Sequence, residues 1–263
     1  MKYIYANYSN LLNKITNKDT LFVGDYTLDP YQNCEFGCRY CDSSYDESIY
    51  IKSNSLKLLE EEIKKIESGT IIVGSVVDPY QKLEKKQKIT RNLLKIIKNN
   101  NFSVHILTKS DLVLRDIDIL SEIERCIVTI SIISIDENIL NIFEKNTPSS
   151  KERMNVIEKL SENGIKTGLA VLPVLPFIVE DELEEIIKIA KKKLAYYMLH
   201  KHLELKGDQK AVFLNTLEKF DPNLINKYNV LYNDSYMPNQ EYILKIKNNI
   251  DRYCKRWGIP TKI

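Results

Sequence analysis

From residue 69 onward, short β-branched runs alternate with longer amphipathic stretches, and this alternation restricts the fold more than any other feature of the chain. "TIIVGSVV" precedes "KKQKITRNLLKIIKNN", and "SVHILTKS" precedes "VLRDIDILSEIE". "CIVTISIIS" precedes "DENILNIFE" and "SKERMNVIEKLSENG", the latter closed by Asn163-Gly164 as a C-terminal cap, and "IKTGLAVLPVLP" precedes "DELEEIIKIAKKK". Upstream, "TLFVGDYTL" and "LKLLEEEIKKIE" form a first pair, and "AYYMLHKHLEL" is a sixth strand candidate. Strands joined by helices run parallel through right-handed crossovers, which cover both faces of each strand. The expected fold is α/β, a partial (β/α)6 TIM-type barrel. "DQKAVFLNTLEKF" and "NQEYILKIKNNIDRYCKRWG" then read as helices with no strand after them, a C-terminal helical extension. The division expected is a barrel over 1–206 and the extension over 207–263. With 263 residues, 43% of them hydrophobic, the chain has enough apolar material for a sizeable core.

Three of the five cysteines fall within "YQNCEFGCRYCDSSY", as Cys34, Cys38 and Cys41. An odd count with three crowded together suits a reducing compartment and a metal or redox site better than a disulfide framework. Thiolates suit zinc and iron-sulfur clusters. Structural zinc wants four protein ligands, and only Cys126, at the start of a strand, and Cys254, in the last helix, remain to supply one. Each also reads as a small core hydrophobe. A 4Fe-4S cluster on three thiolates instead leaves one iron open, as a catalytic metal centre requires. The alternative is a zinc-stabilised, non-enzymatic binding module built on the same cysteines.

C-x3-C-x2-C with an aromatic before the last cysteine, here Cys34, Cys38, Tyr40 and Cys41, resembles the signature of radical S-adenosylmethionine (SAM) enzymes. "DPYQNCEFGCRYCD", "GSVVDPYQKLEKKQKITRNLL", "ILTKSDLVLRDIDIL", "TPSSKERM" and "HLELKGDQKAVF" further resemble, in order, segments of the spore photoproduct lyase-like branch. The resemblance runs from about Thr20 to the final helix. It implies a 4Fe-4S cluster whose open iron is chelated by SAM, and reductive cleavage of SAM to a 5'-deoxyadenosyl radical that abstracts hydrogen from a substrate. It also implies a low-potential electron donor, a flavodoxin or ferredoxin, docking near the cysteine loop, and suggests nucleic acid as the substrate class. In spore photoproduct lyase a cysteine after the second strand returns hydrogen to the product radical. Ser75 stands there in this chain, and a hydroxyl is a far poorer hydrogen-atom donor, so the resemblance stops short of lesion reversal by that route.

In such a barrel the chemistry gathers where strands end. The second strand ends in Gly74, Ser75 and Asp78, the third in Thr108 and Lys109, and the fourth in Ser131 and Ser134. Leu172 and Pro173 end the fifth, with Pro173 on the cofactor side, and His200, His202 and Glu204 end the sixth. By resemblance, Lys109 and Ser131 hold the methionyl carboxylate of SAM. Gly74 and Ser75 would meet its amino group through closely approaching backbone. The competing readings are a solvated lysine at a helix start for Lys109 and a locally bonded strand-face serine for Ser131.

Tyr40 would stack near the adenine or shield the cluster, or else pack the loop. Asp78 and Tyr80 are candidate substrate contacts, although Asp-Pro also starts turns. His200 and His202 alternate along a strand and so should face one way, either to the barrel mouth with Glu204 or to the outer helices. Two spare cysteines do not make an auxiliary four-cysteine cluster, which argues against the branches that carry one. The net charge of +2, from 38 basic and 36 acidic residues, indicates no strong global field toward nucleic acid or membrane. The basic tail "KIKNNIDRYCKRWGIPTKI" would track a phosphate backbone or present a solvated face. No stretch suits a membrane span and the start lacks a signal peptide's apolar core, so a cytoplasmic protein is expected.

Overall fold

The computed structural model describes residues 1–17, 19–44 and 47–263. Strands β1 (Lys2–Ala6), β2 (Leu12–Lys14), β3 (Tyr26–Leu28), β4 (Tyr31–Gln32) and β5 (Ser48–Lys52) precede helix α1 (Ser55–Glu62). There follow β6 (Thr70–Val73), α2 (Glu84–Gln87), α3 (Ile89–Asn99), β7 (Ser103–Thr108), α4 (Ile117–Leu120), β8 (Cys126–Ser131), α5 (Glu137–Phe143) and α6 (Ser150–Glu162). The chain continues through β9 (Lys166–Val174), α7 (Leu183–Lys192), β10 (Met198–His202), α8 (Gly207–Phe220), α9 (Asn223–Tyr232) and α10 (Gln240–Trp257).

The larger sheet has seven strands in the order β10-β9-β8-β7-β6-β3-β2. From β3 to β10 the neighbours are parallel and follow chain order, and β2 closes one edge antiparallel to β3. This is the expected six-stranded partial barrel with one added edge strand. Helices cover its outside because their apolar residues recur on one face: Leu93, Leu94 and Ile97 on α3, and Leu183, Ile186, Ile187 and Ala190 on α7 are buried.

A smaller sheet, β1-β5-β4, lies at the N-terminal side and was not expected from the sequence. Its strands β4 and β5 pair antiparallel, Tyr31 opposite Ile51, so the cysteine segment is the connection between two hydrogen-bonded strands. The first barrel strand is also shorter than "TLFVGDYTL" suggests. Asp19 accepts hydrogen bonds from the amides of Leu21, Phe22 and Gly24, which folds that segment into a turn ahead of β3. Helix α9 is a second addition. At the C-terminal end, α10 packs on α7 through Tyr242, Ile246, Ile250 and Cys254, and the Met198 amide donates to Pro260 O. Its charges face outward, Lys247 pairing with Asp251 and Arg256 with Glu184, so the basic tail is a solvated helix face. No helix among the described residues is long and apolar enough to cross a membrane.

Inside the barrel, Gly168 leaves room for the ring of Tyr197; a Cβ there would stand 2.2 Å from it. The Tyr197 hydroxyl lies 2.6 Å from Thr129 Oγ1, which lies 2.6 Å from His105 Nε2. The carbonyl of Phe22 can only accept, so His105 Nδ1, 2.8 Å away, carries the proton. Burial pushes the fully enclosed His105 down to about 4 from 6.5. Below pH 6.5 the unfolded chain takes up a proton that the folded protein refuses, so stability falls as pH drops from 6.5 to about 4. The expected loss from this group is about 3 kcal/mol. Thermal melts between pH 7 and 4 should show a shallower decline for His105→Gln than for the parent chain; equal slopes would refute the assignment.

Candidate active site at the C-terminal edge of the sheet

The cysteine loop is held from several sides by hydrogen bonds. The Cys34 amide donates to Ser43 O (2.7 Å), the Glu35 amide to Gln81 Oε1 (2.9 Å) and the Arg39 amide to Phe143 O (2.9 Å). The Glu35 carboxylate accepts from the Leu83 amide (2.7 Å) and the Tyr3 hydroxyl (2.6 Å), and Asn146 Nδ2 donates to Glu35 O. From α8, Gln209 Nε2 donates to Tyr40 O at 2.6 Å. Gly37, at φ +64°, makes the left-handed turn between the first two cysteines.

Cys34, Cys38 and Cys41 line one cavity of about 90 Å³ together with Gly74, Asp78, Lys109 and Ser131. Cys34 and Cys38 are buried and Cys41 is partly exposed. Burial, followed by the Asp78 charge, pushes the Cys34 thiol up to about 12; burial also raises Cys38 despite nearby Lys109. Such thiols become thiolates when a cationic centre replaces the proton. Among the described residues no three His, Cys, Asp or Glu side chains stand as ligands of a single ion. Three thiols spread around one cavity fit a cluster, in which each thiolate takes its own iron. Cys126 starts β8, at the opposite end of the strand from Ser131, and Cys254 is buried in α10; neither lines the cavity.

The strand ends bring the other candidates together. Gly74 sits at φ +90°, and a Cβ there would stand 2.5 Å from both Leu107 O and Pro79 Cδ, so only glycine fits. Asp78 works as a bracket: its carboxylate accepts from the Thr108 hydroxyl (2.7 Å), the Lys109 amide (2.7 Å) and the Tyr80 amide (2.9 Å). Those bonds fix the end of β7 and the turn after β6, the turn-forming role that the Asp-Pro pair offers beside a substrate contact. Tyr80 is fully buried under the Arg115 guanidinium. Ser131 is 1% exposed and its hydroxyl, in the cavity wall, has no partner among the described residues. Ser134 instead donates to Glu182 and lies outside the cavity.

A buried charge network missing from the sequence reading ties these parts together. Arg153 and Glu144 are both fully buried and pair at 2.7 Å, and Arg153 Nη1 also donates to Ser131 O at 2.9 Å. Glu144 accepts from the Tyr40 hydroxyl, and Lys109 Nζ stands 3.8 Å from it. Burial alone would raise Glu144, but Arg153, Lys109 and the hydrogen bonds outweigh it and hold the carboxyl below its ordinary range. Lys109 is raised in turn: burial opposes its charge, and Cys38, Glu144, Cys41 and Asp78 together overcome that. One network therefore joins the cysteine loop (Tyr40) to the ends of β7 (Lys109) and β8 (Ser131).

A second cavity of about 440 Å³ opens at the barrel mouth, with Tyr40, Cys41, Ser75, Lys109, Pro173 and His202 among its lining. The Ser75 hydroxyl donates to Asp29 at 2.8 Å. The ladder shifts register between His200 and His202, so the two histidines face different ways, contrary to simple alternation. His202 lines the mouth beside Glu204, whereas His200 does not line it.

A family model described as "Radical SAM superfamily" matches residues 28–190. The uncharacterized protein MJ0683 of Methanocaldococcus jannaschii is 30% identical over 237 residues, 86% of each chain. The uncharacterized protein Rv2578c of Mycobacterium tuberculosis is 25% identical over 248 residues, 86% of this chain and 73% of that one. Among solved structures, a spore photoproduct lyase variant with bound AdoMet and dinucleoside spore photoproduct superposes with a TM-score of 0.70. It is 15% identical, covering 97% of this chain and 79% of that chain. At that identity the likeness is one of fold.

Proposed function

Because the chain belongs to the radical SAM superfamily, we propose that it is an enzyme that reductively cleaves SAM and uses the radical to abstract hydrogen from a substrate entering through the barrel mouth. The observation that carries this reading is the one cavity lined by three thiols, by Ser131 with its unpartnered hydroxyl and by Lys109. Cys34, Cys38 and Cys41 hold a 4Fe-4S cluster, which when bound supplies the electron that cleaves SAM. Lys109 and Ser131 would receive the methionyl carboxylate by charge and hydrogen bond, and the backbone of Gly74, which lines the same cavity, would receive the amino group. Cys41, Ser75 and Lys109 border both the cysteine cavity and the mouth, while Tyr40, tied to Glu144, and Pro173 line the mouth. Asp78 keeps Thr108 and Lys109 in place.

The substrate class favoured is nucleic acid. The spore photoproduct lyase variant of like fold carries a dinucleoside lesion, and Lys201 and Lys206, which share the single carboxylate of Glu204, rim this mouth with a net positive charge. Ser75 gives its hydrogen bond to Asp29, and among the described residues that line the mouth the one thiol is Cys41, so no cysteine stands where the lyase has its hydrogen donor.

The deciding experiment is low-temperature electron paramagnetic resonance of the anaerobically reconstituted, dithionite-reduced protein with and without SAM. A cluster signal whose g values shift on adding SAM, with release of 5'-deoxyadenosine, is the expected result. Reconstituted protein that gives neither sinks the proposal.

A further inference from the structure

The cluster cavity has a second neighbour besides the mouth. A cleft of about 560 Å³ lies on the outer side of the cysteine loop, and Phe36 is the one residue that lines both it and the cluster cavity. Phe36 is 2% exposed, so its buried ring stands where the two spaces adjoin. The cleft is bordered by Lys82, Lys85 and Lys145, all exposed. Arg115, also at its edge, is neutralised by Glu84 and Asp116, whereas none of the three lysines enters an ion pair among the described residues. Two carboxylates, Asp111 and Glu152, also line the cleft, and Glu152 keeps its charge while accepting from Ser149, so the three lysines outnumber the acids at the rim by one.

We propose that this lysine-rimmed cleft is the docking surface for a small acidic electron-transfer protein, and that one electron reaches the cluster past Phe36. The inference rests on the functional reading above. Electron transfer falls steeply with distance, and here a carrier seated in the cleft meets Phe36, which also lines the cluster cavity. The mouth on the other side stays free for SAM and substrate, so reductant and substrate need not compete. The donor loses one electron and the cluster gains it, with no bond made or broken in this chain. Unpaired cations around a recessed floor attract a partner of opposite sign and speed its encounter, with a strong dependence on ionic strength. The exposed rings of Tyr3 and Tyr5 stand near the same face, which would also suit stacked bases. The place of Phe36 favours the redox partner, because a nucleic-acid substrate has to meet the radical on the mouth side.

The test uses cluster-loaded protein and reduced recombinant flavodoxin. Titration calorimetry and stopped-flow reduction are run on the parent chain and on the triple variant Lys82→Glu, Lys85→Glu, Lys145→Glu, with Lys→Gln substitutions as a milder series. Flavodoxin affinity and reduction rate should fall about tenfold or more in the charge-reversed protein and weaken with salt in the parent, as steered association does. Dithionite-driven release of 5'-deoxyadenosine should stay at the parent level. Unchanged flavodoxin affinity and reduction rate would overturn the proposal, as would a variant that loses binding of a single-stranded oligonucleotide while keeping that of flavodoxin. If the dithionite-reduced parent releases no 5'-deoxyadenosine, the functional reading fails, and the calorimetric comparison still decides whether the cleft binds the carrier.

Discussion

Arg153→Met is expected to lower stability by about 3 kcal/mol, because removal of its closest partner leaves the buried Glu144 charge with only Lys109, 3.8 Å away, and the Tyr40 hydroxyl to balance it. Both side chains are fully buried, and Arg153 in addition holds Ser131 O. For a chain near this size the loss corresponds to a fall in melting temperature of roughly 10 °C. The double variant Arg153→Met, Glu144→Met should be less destabilised than Arg153→Met alone, since it removes the stranded charge. Calorimetry on the four proteins of the cycle measures this. A single-variant loss below about 1 kcal/mol, or strict additivity, would show that the pair does not act as one unit. The double variant should still lose SAM affinity, because Tyr40 and Lys109 would then lack the carboxylate that aligns them.

Cys38→Ala should abolish cluster binding and SAM cleavage together while leaving the fold intact. The expected observations are iron at background after anaerobic reconstitution, no 5'-deoxyadenosine above the uncatalysed level, and an unchanged far-ultraviolet circular dichroism spectrum. Iron retained at the parent stoichiometry would mean that the three cysteines are not the ligand set. An unfolded variant would contradict the support described for the loop, whose anchors at Glu35, Arg39 and Tyr40 do not involve the Cys38 side chain.

The barrel was legible because its parallel strands are buried on both faces and its helices carry one apolar stripe, so "CIVTISIIS" and "RNLLKIIKNN" display their periods openly. The short strands β2, β4 and β5 show no comparable signal; β4 is two residues long and exists through its pairing with β5. Helix α9 went unseen because "NLINKYNVLY" is rich in Asn and Tyr, weak helix formers that tertiary contacts overrule. The cysteines proposed as ligands are marked by spacing, and Lys109 and Ser131 by their positions at strand ends. Glu144 and Arg153 sit in the amphipathic stretches "DENILNIFE" and "SKERM", where a charge is ordinarily a solvated one; burial is decided by what the fold lays over it. The opposed directions of His200 and His202 depend on a bulge that strict alternation does not foresee.

The cysteine loop is fastened at both ends by the β4–β5 ladder and along its length by bonds to Gln81, Leu83, Phe143, Asn146 and Gln209. Small metal-dependent domains collapse when their ion leaves, because the ion is their core. Here the shape of the loop is maintained by the surrounding protein, so loss to oxygen of the cluster proposed on these thiols is expected to leave a folded chain with the loop still in position. Damage in air is then an interruption of service, reversible by reloading iron and sulfide, and the protein can be mended in place where a less well-anchored one would have to be made again.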